Sequence, residues 1–233
     1  MSSIADNIES VTRRIQKATM AANRPENSVT LLAVSKTRPA EDVRLAAAAG
    51  QRAFGENYLS EALTKIEALS DLPQLAWHFI GPVQSNKTRP IAEHFDWVHS
   101  VDRDKIARRL SEQRRPDQQP LNVCLQVNID NETSKAGCTP EDAVALAERV
   151  AGLPNLRLRG LMAIPDPARG EEALRLSFRR LAQLLEDVRR ALPEREGLDT
   201  LSMGMSADLE LAIEEGATCV RVGTALFGPR PPK

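Results

Sequence analysis

The chain has 233 residues, with 31 basic and 32 acidic side chains and a formal net charge of -1. That balance gives no general pull toward nucleic acid or an anionic membrane, so any phosphate affinity must be local. Aromatic residues make up only 3% and leave no stacking platform for single-stranded nucleic acid, and no stretch approaches the roughly 20 apolar residues of a transmembrane helix.

In chain order, Ile4, Ile8, Val11, Ile15 and Ala18 recur at spacings of three and four, which predicts an amphipathic helix over 3–20. Its acidic residues and lack of a long apolar run distinguish it from a secretory signal. The apolar run from Leu31 to Val34 is a first buried strand leading to Lys36. Pro39-Ala40-Glu41-Asp42 opens a helix that Gly50 stops. Strands follow at 52–55, 75–80, 96–101, 121–129, 156–164, 200–203 and 218–222. Helices are predicted from Asn57 or Tyr58 to Ile66, and over 103–114, 140–151, 171–191 and 207–215. The arginine pairs Arg108-Arg109, Arg114-Arg115, Arg179-Arg180 and Arg189-Arg190 read as solvated helix faces.

Strand and helix alternate through roughly eight βα units with short connections, a pattern of parallel sheet. Eight units in a chain of this length predict one closed (β/α)8 barrel spanning residues 1–233, with an extra N-terminal helix. No linker long enough to divide two domains is present, and no ninth strand is expected before Pro231-Pro232-Lys233. Cys124, Cys138 and Cys219 are an odd number without metal-like spacing. Cys124 and Cys219 sit in apolar runs as small core residues, as expected in a reducing cytoplasm.

The period of two places Leu32, Val34 and Lys36 on one strand face. If that face is inward, Lys36 stands at the strand's C-terminal mouth, partly desolvated, where a neutral amine can form a Schiff base with an aldehyde. The plainer alternative is a lysine that caps the strand and reaches to water. In such barrels the loops after strands seven and eight often hold phosphate. Here they read Met203-Gly204-Met205-Ser206-Ala207-Asp208 and Arg221-Val222-Gly223-Thr224-Ala225. Glycines allow close backbone approach, and Ser206 and Thr224 offer hydroxyls. The alternative is ordinary helix capping. Strand one adjoins strand eight in a closed barrel, so an aldehyde at Lys36 and a phosphate near Gly223 fit one small molecule. Pyridoxal 5'-phosphate (PLP) carries both groups on one ring.

The segments VSKTRP (34–39), FGENY (54–58), WHFIGPVQSNK (77–87), VNIDNETSKAG (127–137), LRGLMAI (158–164), LSMGMSADLELAI (201–213) and RVGTALFG (221–228) resemble the pyridoxal phosphate homeostasis protein family. The resemblance covers most of the chain in order. It implies a barrel like the N-terminal domain of alanine racemase, with PLP as a Schiff base on Lys36 and its phosphate on Ser206, Gly223 and Thr224. Arg221 would lie near either the phosphate or the pyridine nitrogen. Asn57 could orient the cofactor or be a plain polar loop residue. His78 reads as a hydrogen-bonded core residue rather than a base. Lys135 is a solvated lysine by default, with a second aldehyde contact as the alternative.

The family resemblance implies a protein that buffers PLP and delivers it to apoenzymes, without catalytic turnover; a monomer is expected, because no missing domain demands a partner. A PLP-dependent racemase is the alternative. It would need a second base facing Lys36, usually drawn from an additional β-domain, and Tyr58 is the only tyrosine. A lysine-dependent sugar-phosphate aldolase would need an acid on an inward strand position near Lys36, and the sequence offers none.

Overall fold

Eight strands close into one parallel barrel in the order β1 to β8, with β8 pairing back to β1. The computed structural model describes residues 3–133 and 135–229; the Pro231–Lys233 segment lies outside them. The strands are β1 (Thr30–Val34), β2 (Ala53–Glu56), β3 (Ala76–Phe79), β4 (Trp97–Val101), β5 (Leu121–Gln126), β6 (Leu156–Met162), β7 (Thr200–Ser202) and β8 (Cys219–Val222). The helices are α1 (Ile4–Ala21), α2 (Ala40–Ala48), α3 (Leu59–Ala68), α4 (Thr88–His94), α5 (Asp104–Gln113), α6 (Pro140–Ala151), α7 (Glu171–Ala191), α8 (Leu209–Glu214) and α9 (Thr224–Phe227).

The chemistry of the element ends follows the sequence closely. Ser3 caps α1 in a reciprocal box with Asp6, and Thr139 caps α6 ahead of Pro140. Helix α4 has no counterpart among the expected elements. It is seven residues long, contains Pro90 and buries only Thr88, Ile91 and Ala92, too short a stripe to give a helical period. Helix α1 packs on α8 and α9 rather than inside the ring. Arg14 grips Glu210 with two hydrogen bonds of 2.6 and 2.9 Å, and Asn7 donates to the Leu226 carbonyl at 2.8 Å.

Two apolar layers result. The large one lies between strands and helices and takes the outward strand residues, among them Ala33, Phe54, Trp77, Phe79, Val98, Val220 and Val222. The small one is the barrel interior, where Leu32, Ile80 and Cys219 meet Val34 and Ala53. Leu32 and Val34 therefore do face inward, as the strand period requires. Cys124 and Cys219 are buried free thiols whose pKa burial pushes well up, that of Cys219 to about 11, which makes them inert small core residues.

Much of the remaining interior is polar. His78 Nδ1 lies 2.9 Å from His99 Nε2, and His99 Nδ1 lies 2.7 Å from Ser202 Oγ. His78 stacks on Trp97 at the floor of the barrel, where Arg159 covers the indole at 4.7 Å and pairs with Asp199 at 2.6 Å. Both histidines are fully buried and neutral. Desolvation pushes the His78 pKa down to about 3, and His99 falls well below its ordinary value for the same reason, with His78 and Arg221 adding repulsion.

The arginine pairs divide. Arg179 pairs with Glu215 and Arg108 with Asp104 at the surface. Arg114, expected on a solvated face, is buried instead. It follows α5, and its guanidinium donates to the carbonyls of Ala92, Phe95 and Gln119 at 2.6 to 2.8 Å, joining three chain segments. Arg109 and Arg189 likewise reach backbone carbonyls, of Ser85 and Leu198.

Two outcomes follow. Arg114→Met leaves the buried Ala92 and Phe95 carbonyls, and that of Gln119, without their charged donor. It should lower the unfolding free energy by about 3 kcal/mol, read as a shift in denaturant midpoint at unchanged slope. The buried histidines bind fewer protons folded than unfolded between their depressed values and the ordinary 6.5. Their contribution to stability is therefore complete above 6.5 and is lost as pH falls through that window. Each contributes a slope of about 1.4 kcal/mol per pH unit, and His78→Asn should remove one share of it in unfolding curves measured at pH 4.5 to 7.

Candidate functional site

The site is assembled at the C-terminal mouth of the barrel from the ends of β1, β2, β7 and β8. Strand β1 ends at Val34, and the chain reverses through a turn closed by the Arg38 N–H on the Ser35 carbonyl at 3.1 Å. Lys36 is the second residue of that turn and is half-buried. Thr37 is the third, with φ at +63°, a position usually given to glycine or asparagine. Beyond it, Arg38 donates to the carbonyls of Gly228 and Pro229 at 2.6 Å, tying the turn to the chain after α9.

Closure of the ring brings the other candidates to this turn. The register of β1 on β8 runs from Thr30 opposite Cys219 to Ala33 opposite Val222, so Gly223 lies beside Val34. A Cβ on Gly223 would stand 3.2 Å from the Val34 carbonyl oxygen, a contact tight enough to favour glycine. The Ala225 N–H points to Ser206 Oγ at 3.4 Å, which joins the loops after β7 and β8. Neither Ser206 nor Thr224 is the N-cap residue of its helix: Asp208 precedes α8 and Gly223 precedes α9, and neither of those two residues makes a side-chain cap bond. The Ser206 hydroxyl instead accepts a first-turn amide of α9 from the neighbouring loop. Ser206 is half-buried, and Thr224 is exposed at the mouth. Asp208 accepts the Met205 N–H at 2.5 Å and Arg14 donates to the Ser206 carbonyl at 3.0 Å, so the β7 loop is held from both sides.

Asn57 follows β2 at the same rim. Its Oδ1 is shielded from solvent and has no hydrogen-bond partner among the described residues. Gly81 makes the place for it, because a Cβ there would overlap the Asn57 backbone. A groove of about 690 Å³ leads away from Asn57 past Tyr58, Leu63, Pro82 and Lys87.

Arg221 sits deeper. It is 5% exposed, and its guanidinium donates to Ser202 Oγ at 2.8 Å and to the Ala163 carbonyl at 2.9 Å. Among the described residues it makes no ion pair, and burial lowers its pKa. It thus lies within the barrel at the head of the His78–His99–Ser202 chain rather than in the loops that carry Ser206 and Gly223. His78 is a hydrogen-bonded core residue, as expected. Lys135 is set apart: β5 lies opposite β1 in the ring, and Lys135 Nζ is held by Glu132 at 2.8 Å and the Ile164 carbonyl at 3.0 Å. The side chain expected to be solvated is thus partly exposed and also tethered.

Several partners escaped the sequence reading. Ser202 and His99 lie on inward strand positions, and the period of two could have marked them. Lys65 falls in the buried stripe of α3 with Ala62 and Leu69, at spacings of three and four. A lysine in such a stripe is a signal. Nothing in the sequence points to Arg14, whose contacts lie almost two hundred residues away.

The profile described as alanine racemase, N-terminal domain, matches residues 3–231. The pyridoxal phosphate homeostasis protein of Pseudomonas aeruginosa is 65% identical over 230 residues, covering 99% of this chain and 97% of that one. That of Vibrio cholerae is 52% identical, covering 99% and 98%. The structure of PipY from Synechococcus elongatus with PLP bound is similar over 97% of this chain and 100% of that chain, at 39% identity and a TM-score of 0.84. Alanine racemase from Corynebacterium glutamicum, 17% identical with a TM-score of 0.69, shares the fold over 98% of this chain and 61% of its own. The mouth of the barrel, the full-length matches and the shared fold agree: this chain belongs to the pyridoxal phosphate homeostasis protein family, built on the alanine racemase N-terminal domain.

Proposed function

We propose that this protein binds PLP as a Schiff base on Lys36 and serves PLP homeostasis, holding the cofactor and passing it to apoenzymes without amino-acid turnover. The observation that carries the reading is the apposition of the Lys36 turn with the Gly223 backbone across the β1–β8 seam. The lysine turn and the glycine loop of the proposed phosphate cradle are thereby neighbours across one seam. The residues fit the cofactor. Ser206, Gly223 and Thr224 offer hydroxyls and backbone amides to its phosphate. The Asn57 oxygen, shielded and without a partner, suits a polar group of the ligand.

PLP supplies an aldehyde and, when its ring nitrogen is protonated, an electron sink. Arg221 bears on that second property. Its place inside the barrel favours the ring side over the phosphate side. A fixed cation facing the pyridine nitrogen disfavours its protonation and weakens the sink. Tyr58, the candidate second base, is 54% exposed at the start of α3 and lines the groove. These features favour a carrier over a racemase. No helix among the described residues is long and apolar enough to cross a membrane, and the three cysteines are free. In the same reading the chain is one PLP-binding domain, 1–233, working as a monomer in the cytoplasm, with no role for nucleic acid or membrane.

The test is an absorption spectrum of the protein with added PLP, before and after borohydride, with peptide mapping. A Schiff-base band that becomes a reduced pyridoxyl group on Lys36, and is lost in Lys36→Ala, is expected, along with no steady-state turnover of any amino acid. A protein that takes up no PLP, or one that racemises at ordinary enzyme rates, overturns the reading. Ser206→Ala combined with Thr224→Val should keep the band and weaken PLP binding about tenfold or more, read by titration.

A further inference from the structure

We infer that Glu61 and Lys65 are positioning residues for Lys36, clamping from outside the barrel the strained turn on which it stands. The inference rests on the reading of Lys36 as the PLP lysine.

The two chain neighbours of Lys36 are both held, and by one cluster. On one side, the Lys65 ammonium donates to the Ser35 carbonyl at 2.7 Å, and the Ser35 hydroxyl donates to Glu56 Oε1 at 2.6 Å. On the other side, the Thr37 N–H donates to Glu61 Oε1 at 2.6 Å. Lys65 joins the two halves, reaching Glu56 at 2.7 Å and Glu61 at 2.5 Å. Ser35, Glu56 and Lys65 are buried in the layer between the barrel wall and α3, on the face of the strands turned away from Lys36.

Two features argue that the cluster serves geometry. A buried ion pair contributes little net stability relative to an apolar packing of the same volume, and α3 otherwise packs through apolar positions such as Ala62. Thr37 carries a positive φ, which a β-branched residue adopts only when its surroundings impose it. The Glu61 hydrogen bond falls on that residue's own amide. Sequence neighbours held at both ends leave the backbone of Lys36 one position, which fixes where its amine enters the mouth. A shift of a fraction of an ångström there changes the approach to an aldehyde whose phosphate is already anchored.

The test is a double-mutant cycle on Glu61 and Thr37. Four proteins are compared: wild type, Glu61→Gln, Thr37→Gly and the double variant. PLP affinity is read from the Schiff-base band, folding from the denaturant midpoint of the PLP-free protein, and the turn from hydrogen exchange at residue 37. Glu61→Gln should weaken PLP binding about tenfold, speed exchange at residue 37, and leave the folding midpoint close to wild type. Glycine adopts positive φ without strain, so in the Thr37→Gly background the same change should cost at most about threefold. Lys65→Met should weaken PLP binding beyond its effect on folding. Full PLP affinity in Glu61→Gln, or an equal loss with threonine and with glycine at 37, overturns the inference while Lys36 labelling in wild type still stands. Wild-type protein that takes up no PLP overturns both the reading of Lys36 and this inference.

Discussion

The hydrogen-bonded seam between β1 and β8 is the constraint on which the site depends. An open sheet of the same strands would place residues 30–38 and 219–228 at opposite edges, with two exposed ladders. Closure pairs them, and the register from Thr30–Cys219 to Ala33–Val222 brings the last strand's glycine loop against the first strand's turn. The seam is reinforced on its solvent side. Helix α1 lies along α8 and α9, with Arg14 holding Glu210 and the Ser206 carbonyl, and Arg38 reaches the carbonyls of Gly228 and Pro229. The extra N-terminal helix therefore braces the two last loops rather than merely preceding the fold.

The barrel interior combines apolar and polar parts in an order that suits a site open at one end. Leu32, Ile80 and Cys219 meet in its small apolar cluster, while His78, His99, Ser202 and Arg221 form a connected polar chain. Desolvation keeps both histidines neutral, so each can supply one donor and one acceptor, and the charge of the chain is concentrated at the buried Arg221. A cation held in place by Ser202 and the Ala163 carbonyl needs no carboxylate beside it. Its charge is fixed in place by those two acceptors.

The alternation of eight strands with amphipathic helices was legible because each element carries its own period. Helices α6 and α7 fall on 140–151 and 171–191 as read, because Thr139 with Pro140 and the acidic pair Glu171-Glu172 mark their starts locally. Lys36, Ser206, Gly223 and Thr224 were legible as candidates from their place after particular strands. Helix α4, the positive φ of Thr37, the burial of Lys65 and Arg114, and the tether at Lys135 were not read. Arg114 depends on partners distant in sequence: it is buried because the Ala92 and Phe95 carbonyls need a donor, and a run of arginines carries no sign of which one will turn inward.

By itself, then, the sequence determined the element order, the barrel, the inward face of β1 and the family, because hydrophobic period, turn residues and contiguous motifs are all local properties. Tertiary structure alone decided that Arg221 points along the polar chain rather than into the glycine loops, that Ser206 reaches the first turn of α9 rather than capping the helix of its own loop, and that Glu61 and Lys65 grip the turn at Lys36. Those outcomes rest on hydrogen bonds between groups 19 or more residues apart. Their geometry exists only once the ring has closed, since closure sets which outward side chain of one strand meets which face of the helix beside it.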